Sequence, residues 1–332
     1  MTDQHRVLII GAASLAGAAL AKEMGDTGRS GRVLRIEPSA VIDALPAGFD
    51  VACGDAHDIE TLSAAAENCN IIAVCPPPLG FETTGEAEQR LVNTVVEAAR
   101  RNGVRRLCYI SSSVVDERYA RFTPVKALFD AERVVRESGV PWTILRPSWF
   151  MEALPRFVHN NKAHVFGKFR YPWHWVAASD FGRIALAALE SPNAVGKSLA
   201  VFGPQGFTLP EALERYRLAF DPEIDVKVIP VWKVRLLATV AKKPAIKQVI
   251  PLMRFLANSP ETGNPDETSK LFGAPKVTLN DWAEEALKRR RESANVSSEG
   301  RSGEQDEVSD AEEKSRSEEQ NQYPEDNRRE NS

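Results

Sequence analysis

The fold class predicted by these 332 residues is α/β, a doubly wound parallel sheet with a smaller covering lobe and a C-terminal tail. Three observations lead there. Short β-branched apolar runs alternate with helix-compatible stretches through the first 150 residues, as strands and helices do when helices cover both faces of a parallel sheet. The first run ends in a glycine that opens an Ala-rich helix. Finally, 43% hydrophobic residues are ample for a sizeable core.

The elements follow in order. RVLIIG (6–11) is the first strand, with a helix over 15–24, and RVLRIE (32–37) is the second. DVACGD (50–55) leads into a helix over 58–68, and NIIAVC (70–75) is the fourth strand. Between 85 and 101, Leu91, Val95, Val96 and Ala99 recur at helical spacing, with Glu88, Arg90, Glu97 and Arg101 on the other side. Gly103 ends that helix. RRLCYISSS (105–113) is the fifth strand, Thr123 and Pro124 read as N-cap and first residue of a helix reaching Glu137, and WTILRP (142–147) is the sixth strand. Right-handed βαβ order makes 1–150 a dinucleotide-binding core. Residues 151–288 form a lobe that completes the sheet and covers the substrate pocket. It holds a helix over 180–189, strands at 197–203 and 226–231, a helix from about Leu209, and a last helix over 278–290 opened by a Thr278/Asp281 capping box.

The net charge of -4 is the sum of unlike parts: residues 289–332 carry 13 acidic and 8 basic side chains, and the rest carries 33 and 34. Five apolar residues (Ala294, Val296, Val308, Ala311, Tyr323) are too few to repay the entropy of ordering that tail, which is expected to be a disordered, solvating segment. Collagen-like and disulfide-scaffold classes are excluded. Cys53, Cys69, Cys75 and Cys108 have neither CxxC spacing nor histidine partners, so no metal site is expected and a reducing cytoplasm fits. The N-terminus has no long apolar segment, so neither a signal peptide nor a transmembrane span is expected.

VLIIGAASLAGAAL (7–20) supplies what a pyrophosphate requires: backbone that can be approached closely and a helix N-terminus whose N–H groups face the anion. Gly11, Ala13, Ser14, Leu15 and Gly17 are the candidate contacts. Ser14 stands at the middle glycine of a GxxGxxG pattern, where its hydroxyl can donate to phosphate. Glu37, 20 residues after Gly17, is placed to accept from the adenosine ribose hydroxyls, which favours NAD(H) over NADP(H). Arg35 aims at the same face and could instead pair with a 2′-phosphate or with Glu37.

At GDAHD (54–58), ISSS (110–113), LRPSWFMEAL (145–154) and ASDFGRIALAAL (178–189) the chain resembles the NmrA-like, atypical short-chain dehydrogenase family, NAD(P)-binding Rossmann proteins. That family includes quinone and azo-dye reductases and catalytically silent redox sensors; the resemblance spans about residues 6–288. It implies Asp55 and Ala56 at the adenine, Cys75, Pro76 and Pro77 beside the ribose and nicotinamide, and Ser111 and Ser112 at the end of the fifth strand, with Pro147 ending the sixth. The family often has Gly at the position of Ser14 and Arg at that of Ile36, and the second departure argues further against NADP(H).

Ordinary members of the wider superfamily use Tyr-x-x-x-Lys, in which the ammonium lowers the phenol pKa. Here the frame reads Phe122-Thr-Pro-Val-Lys126, and phenylalanine transfers no proton. The resemblance assigns Lys126 to ribose and nicotinamide contact and leaves Lys126 and Ser112 as the catalytic candidates. Tyr119 is expected in a flexible approach loop. The remaining chemistry is hydride delivery from NAD(P)H to a small acceptor that needs no strong acid, such as a quinone, with water as proton source. The alternative is a dinucleotide-sensing regulator that binds a protein partner. Trp149, Phe150, Met151 and Trp175, with Phe157, Tyr171 and Trp173, read either as an apolar pocket above the nicotinamide or as lobe core. His159, His164 and His174 lack metal-ligand spacing. Residues 226–260 carry seven Lys/Arg and no acid, a surface for an anionic partner or membrane or, more plainly, a solvated lobe; no specific nucleic-acid motif occurs.

Overall fold

The computed structural model describes residues 6–35, 45–77, 85–234 and 244–292. Residues up to Trp282 form one compact unit and Ala283–Ser332 a second, in which 283–292 are helical. Glu37, Ile36 and tail residues 293–332 lie outside the described residues.

The first half alternates as its sequence dictates: β1 (Val7–Ile10), α1 (Leu15–Asp26), β2 (Gly31–Arg35), β3 (Phe49–Cys53), α2 (Ile59–Ala66), β4 (Ile71–Val74), α3 (Gly85–Arg101), β5 (Arg106–Ile110), α4 (Thr123–Arg136) and β6 (Trp142–Pro147). Every residue of β1 and β4 is buried, which is why these strands read as unbroken apolar runs rather than alternating ones. The second half contributes β7 (Val158–His159), β8 (Lys162–Phe166), β9 (Trp173–His174), α5 (Ala178–Glu190), β10 (Lys197–Val201), β11 (Gly206–Phe207), α6 (Leu209–Phe220), β12 (Asp225–Ile229), α7 (Pro244–Asn258) and α8 (Asp266–Phe272).

Seven parallel strands make the main sheet, in the order β10-β6-β5-β4-β1-β2-β3. β1 therefore has β2 on one side and β4 on the other, and the direction of winding reverses between β1 and β4. The crevice at the carboxyl ends of those two strands is the switch point, where open α/β sheets bind ligands. α1 and α5 cover one face, packing Leu20, Met24, Phe181 and Ile184 against Ile9 and Val33. α2, α3 and α4 cover the other, with Leu62, Val92, Val95 and Ala131 on Leu8, Ile72 and Tyr109. Glu132 of α4, fully buried, is paired by Arg146 of β6 (2.8 and 2.5 Å) and by Arg136 (2.5 Å), which locks that helix to the sheet.

The lobe departs from the sheet after β6 and returns to it as β10. A parallel bridge between Phe150 and Val176 ties the outgoing and returning segments. Within the lobe, β12-β8-β7 form a small sheet and β9 pairs with β11. Asn160 and Asn161, both at positive φ, turn β7 into β8; asparagine tolerates that left-handed conformation better than most residues. The Thr278/Asp281 capping box forms, with Thr278 Oγ1 donating to Asp281 at 2.6 Å and Asp281 N–H to Thr278 Oγ1 at 3.2 Å.

Several local expectations change. Glu88 is not on the solvent side of its helix: it is 2% exposed and accepts from Tyr109 Oη at 2.7 Å. Burial raises its pKa, against the smaller opposing effect of the Tyr109 hydrogen bond. The N-cap of α4 is Phe122 rather than Thr123, so Pro124 falls at the second helical position, where its missing N–H costs nothing. Tyr119 is not in a loose loop either. It ends a 3-10 turn, Glu117–Tyr119, capped by Asp116 and packed edge-on against Phe255 of α7 at 5.6 Å.

Candidate functional site

The register of the sheet gathers most of the expected cofactor contacts along one edge. Ile10 is level with Val74 and Leu34, Val74 with Tyr109, and Ile110 with Leu145. Arg35, Gly11 and Cys75 therefore stand side by side at the carboxyl ends of β2, β1 and β4, with Ser111 and Pro147 one and two residues further along at the ends of β5 and β6. Pro76 and Pro77 continue from Cys75 out of the sheet, half-buried and exposed.

Gly11 has φ +85°, and a Cβ there would lie 2.0 Å from the Cys75 carbonyl oxygen. At Gly17 a Cβ would lie 2.3 Å from the Gly11 carbonyl oxygen, so the helix can close onto the turn only with glycine at this position. Ser14 is the N-cap of α1: Gly17 N–H donates to its Oγ at 3.1 Å, and Ala18 N–H donates to its carbonyl at 2.8 Å. The first N–H groups of a helix have no intrahelical partner. With those of Gly17 and Ala18 taken, Leu15 and Ala16 keep theirs for a ligand. Ser14 thus spends its acceptor on the helix and retains its O–H for donation.

Asp55 is exposed and accepts from His57 N–H at 2.8 Å, while Ala56 is 2% exposed; Gly54, hydrogen-bonded to the Arg35 carbonyl at 2.9 Å, carries both past the end of β2. Ser111 and Ser113 have buried hydroxyls that meet no hydrogen-bond partner, an arrangement that ordinarily costs about 1–3 kcal/mol per group and implies that something else satisfies them. Ser112, between them, is half-buried. The Cys75 thiol is pushed up by complete burial, and that of Cys108 to about 12 for the same reason. Cys75 therefore stands at the strand end as a neutral thiol, not as a thiolate. An edge with a glycine cradle, two free helix N–H groups and orphaned hydroxyls fits a bound dinucleotide.

Lys126 lies on the first turn of α4 with its side chain 57% exposed and paired with Asp130 one turn on. Phe122, at the position of the missing tyrosine, stacks on Phe255 at 4.4 Å between centroids and 13° between planes. α7 is thereby seated across the two halves of the compact unit, burying Leu252, Met253 and Leu256 against Val114, Val125 and Trp173.

Of the expected pocket aromatics, Trp149 and Trp175 do line a recess of about 10 Å³, room for about one water molecule, with Trp173, Phe169, Leu209 and Leu256. Trp149 meets Trp173 and Trp175 edge to face at 5.2 and 5.9 Å. Phe150 and Met151 turn away from it. The Phe150–Val176 bridge points Phe150 at Phe181 (5.1 Å) in the core between α5 and the sheet, and Met151 is 1% exposed. Phe169, Leu209 and Leu256 were not legible as pocket residues, since each comes from an element whose docking is non-local. In the cationic stretch, residues 235–243 lie outside the described residues, Lys227 pairs with Asp225, and α7 gives its apolar side to the lobe.

His174 and Glu261 also went unnoticed as a pair. Glu261, the acid that ends the acid-free run of 226–260, has a side chain only 6% exposed and sits 2.6 Å from His174 Nδ1. That hydrogen bond raises the His174 pKa. No described helix is long and apolar enough to cross a membrane, and no described group of three or more His, Cys, Asp or Glu could hold a metal ion.

Comparison with known proteins adds three kinds of likeness. Residues 11–189 match the family model described as NAD(P)H-binding. A (4-alkanoyl-5-oxo-2,5-dihydrofuran-3-yl)methyl phosphate reductase of Streptomyces griseus is 27% identical over 208 residues, 62% of this chain and 70% of that protein. An NAD(P)H azoreductase of Xenophilus azovorans is 23% identical over 210 residues, 61% and 69% of the two chains. Among solved structures, an NADPH-dependent quinone oxidoreductase of Escherichia coli complexed with NADPH superposes with a TM-score of 0.65 at 18% identity, over 85% of this chain and 99% of the other.

Proposed function

This chain belongs to the NAD(P)H-binding family, and from that premise we propose that it is an oxidoreductase that passes hydride from NAD(P)H to a small, flat, conjugated acceptor of quinone or related type. The observation that carries the reading is a strand edge whose orphaned hydroxyls and glycine cradle fit a dinucleotide, with Trp149 following β6 at that edge. The reduced nicotinamide supplies the hydride when bound. Gly11 admits the pyrophosphate, and the Leu15 and Ala16 N–H groups and the Ser14 hydroxyl donate to it. Asp55 and Ala56 flank the adenine, Pro76, Pro77 and Pro147 border the ribose and nicotinamide, and Ser111 and Ser112 hydrogen-bond the nicotinamide end. Lys126 leaves Asp130 to hold the ribose hydroxyls. The indole of Trp149, half-buried after β6, gives the acceptor side an apolar wall. Phe122 offers no proton, so the acceptor is one whose reduced form takes its proton from water.

Glu37 and the absence of Arg at Ile36 support tighter binding of NADH than of NADPH, and four free cysteines support a cytoplasmic setting. The test is nucleotide titration by thermal shift, followed by acceptor-dependent loss of NADH absorbance with a quinone and an azo dye. Binding with NADH ahead of NADPH, and turnover of the quinone, is expected. Binding without turnover of any acceptor overturns the enzyme in favour of a dinucleotide sensor; tighter NADPH shows Arg35 outweighing Glu37.

A further inference from the structure

Helix α7 lies where an acceptor would have to stand. At the position of Phe122 the wider superfamily has a tyrosine that hands a proton to the substrate, so a side chain there faces the reacting group. Here Phe255 of α7 is stacked on Phe122 at 4.4 Å between centroids. The same helix buries Leu252, Met253 and Leu256 in one cluster with Val114, two residues beyond Ser112, with Val125, beside Lys126, and with Trp173. Ser112 and Lys126 are the groups assigned to the nicotinamide end, so α7 covers that end. What remains between Leu256 and the indoles has room for about one water molecule, too little for any ring.

The helix is held unevenly along its length. Its C-terminal end is fastened by polar contacts. Arg170 N–H donates to the Ala257 carbonyl at 3.1 Å, and Thr262 N–H and Oγ1 donate to the Ser113 carbonyl at 2.6 and 2.7 Å. Glu261 accepts from Ser148 Oγ–H and from His174 N–H at 3.1 Å, and meets the His174 ring at 2.6 Å. From Ile250 to Leu256, by contrast, the contact with the body is made by apolar side chains. Such contacts are non-directional and part without leaving a buried polar group unpaired. Pro251 inside α7 also removes one hydrogen bond from the ladder of the helix, which makes that turn the place where it gives.

We infer that α7 is an autoinhibitory plug: in the conformation described here it fills the acceptor position at the nicotinamide end, and an acceptor enters only when the Phe255–Phe122 stack opens about the fastened segment 259–262. This rests on the reading that hydride leaves from the Ser112/Lys126 end of the crevice. The nucleotide is not excluded, since Gly11, Ser14 and the N–H groups of α1 lie at the crevice between β1 and β4, outside the α7 cluster. The apparent affinity for the acceptor is therefore lowered by the fraction of molecules that are open, and that for NADH is not.

The experiment uses the full-length chain. Phe255→Ala removes the stack and is expected to lower KM for a benzoquinone about tenfold, with kcat within about twofold and NADH binding, read by thermal shift, unchanged. Conversely, Phe122→Cys with Phe255→Cys, in a Cys53→Ser background that removes the exposed native thiol, is oxidised to hold α7 shut. The oxidised pair is expected to bind NADH and to lose at least about tenfold in quinone turnover, which returns after reduction and removal of the reductant. Deuterium uptake across residues 250–258 of wild type is measured with NAD+ alone and with NAD+ plus the quinone, which do not react together; the quinone is expected to raise it. Equal turnover by the oxidised and reduced pair overturns the plug and leaves the activity standing. So does an uptake unmoved by the quinone together with an unchanged KM in Phe255→Ala, and these two readings decide where the disulfide does not form. Turnover in Phe255→Ala but not in wild type upholds the plug. If no form of the protein oxidises NADH with a quinone or an azo dye, the proposed activity itself fails and the inference falls with it.

Discussion

Gly11 tolerates no side chain, because its φ of +85° and the Cys75 carbonyl both forbid a Cβ. Gly11→Ala is therefore expected to cost about 3 kcal/mol or more and to abolish nucleotide-induced thermal shift, read in one melting experiment with and without NADH. Ser14 is more forgiving. Removing its cap by Ser14→Ala should cost about 1 kcal/mol and Ser14→Gly only a few tenths, and the alanine variant should also bind nucleotide more weakly because a phosphate donor is lost. A chemical denaturation series with paired NADH titrations checks both. At this scale the glycine turn was legible because its constraint is local. The contacts of Glu261 with His174 and Ser148 were not, since those partners lie 87 and 113 residues away and nothing at its own position announces them.

Helix α3 shows how far periodicity carries. Its apolar positions were readable, but Glu88 counts as polar in any pattern and only the hydrogen bond from the Tyr109 hydroxyl of β5 explains its burial. The sign follows from its raised pKa: stability from this group is intact below the ordinary glutamate value of about 4.3 and is lost as pH rises through the folded value. Glu88→Gln, which keeps an acceptor for Tyr109 and carries no charge, should melt a few degrees above wild type at about pH 8 and differ least near pH 5, as calorimetry at both would show. The strands of the first half were placed within a few residues, because helix caps, glycine stops and apolar runs are all short-range signals. β8 and the Asn160–Asn161 turn were missed, since Lys162–Phe166 alternates over too few residues to be told from a loop until β12 pairs with it.

Across the whole molecule, the crevice between β1 and β4 joins the two wings of a single sheet, so a nucleotide seated there stabilises the native state by mass action. At about 100 times its Kd, NADH should add ~2.7 kcal/mol, a rise of several degrees in Tm that scales with the logarithm of ligand concentration. The doubly wound sheet was readable from alternation alone, whereas the way the lobe is fastened was not. That fastening includes the face-to-face contact of Phe122 with Phe255, which joins α4 to α7. Its consequence is historical as well as mechanical. Tyrosine introduced at position 122 would have its ring held in the same stack, so an ordinary tyrosine-dependent reductase is not one mutation away from this chain. The route requires a second change at Phe255, and an intermediate that changes Phe255 first would lose the packing that seats α7. Phe122 thus serves the seating of α7 whatever the proton source of the reaction.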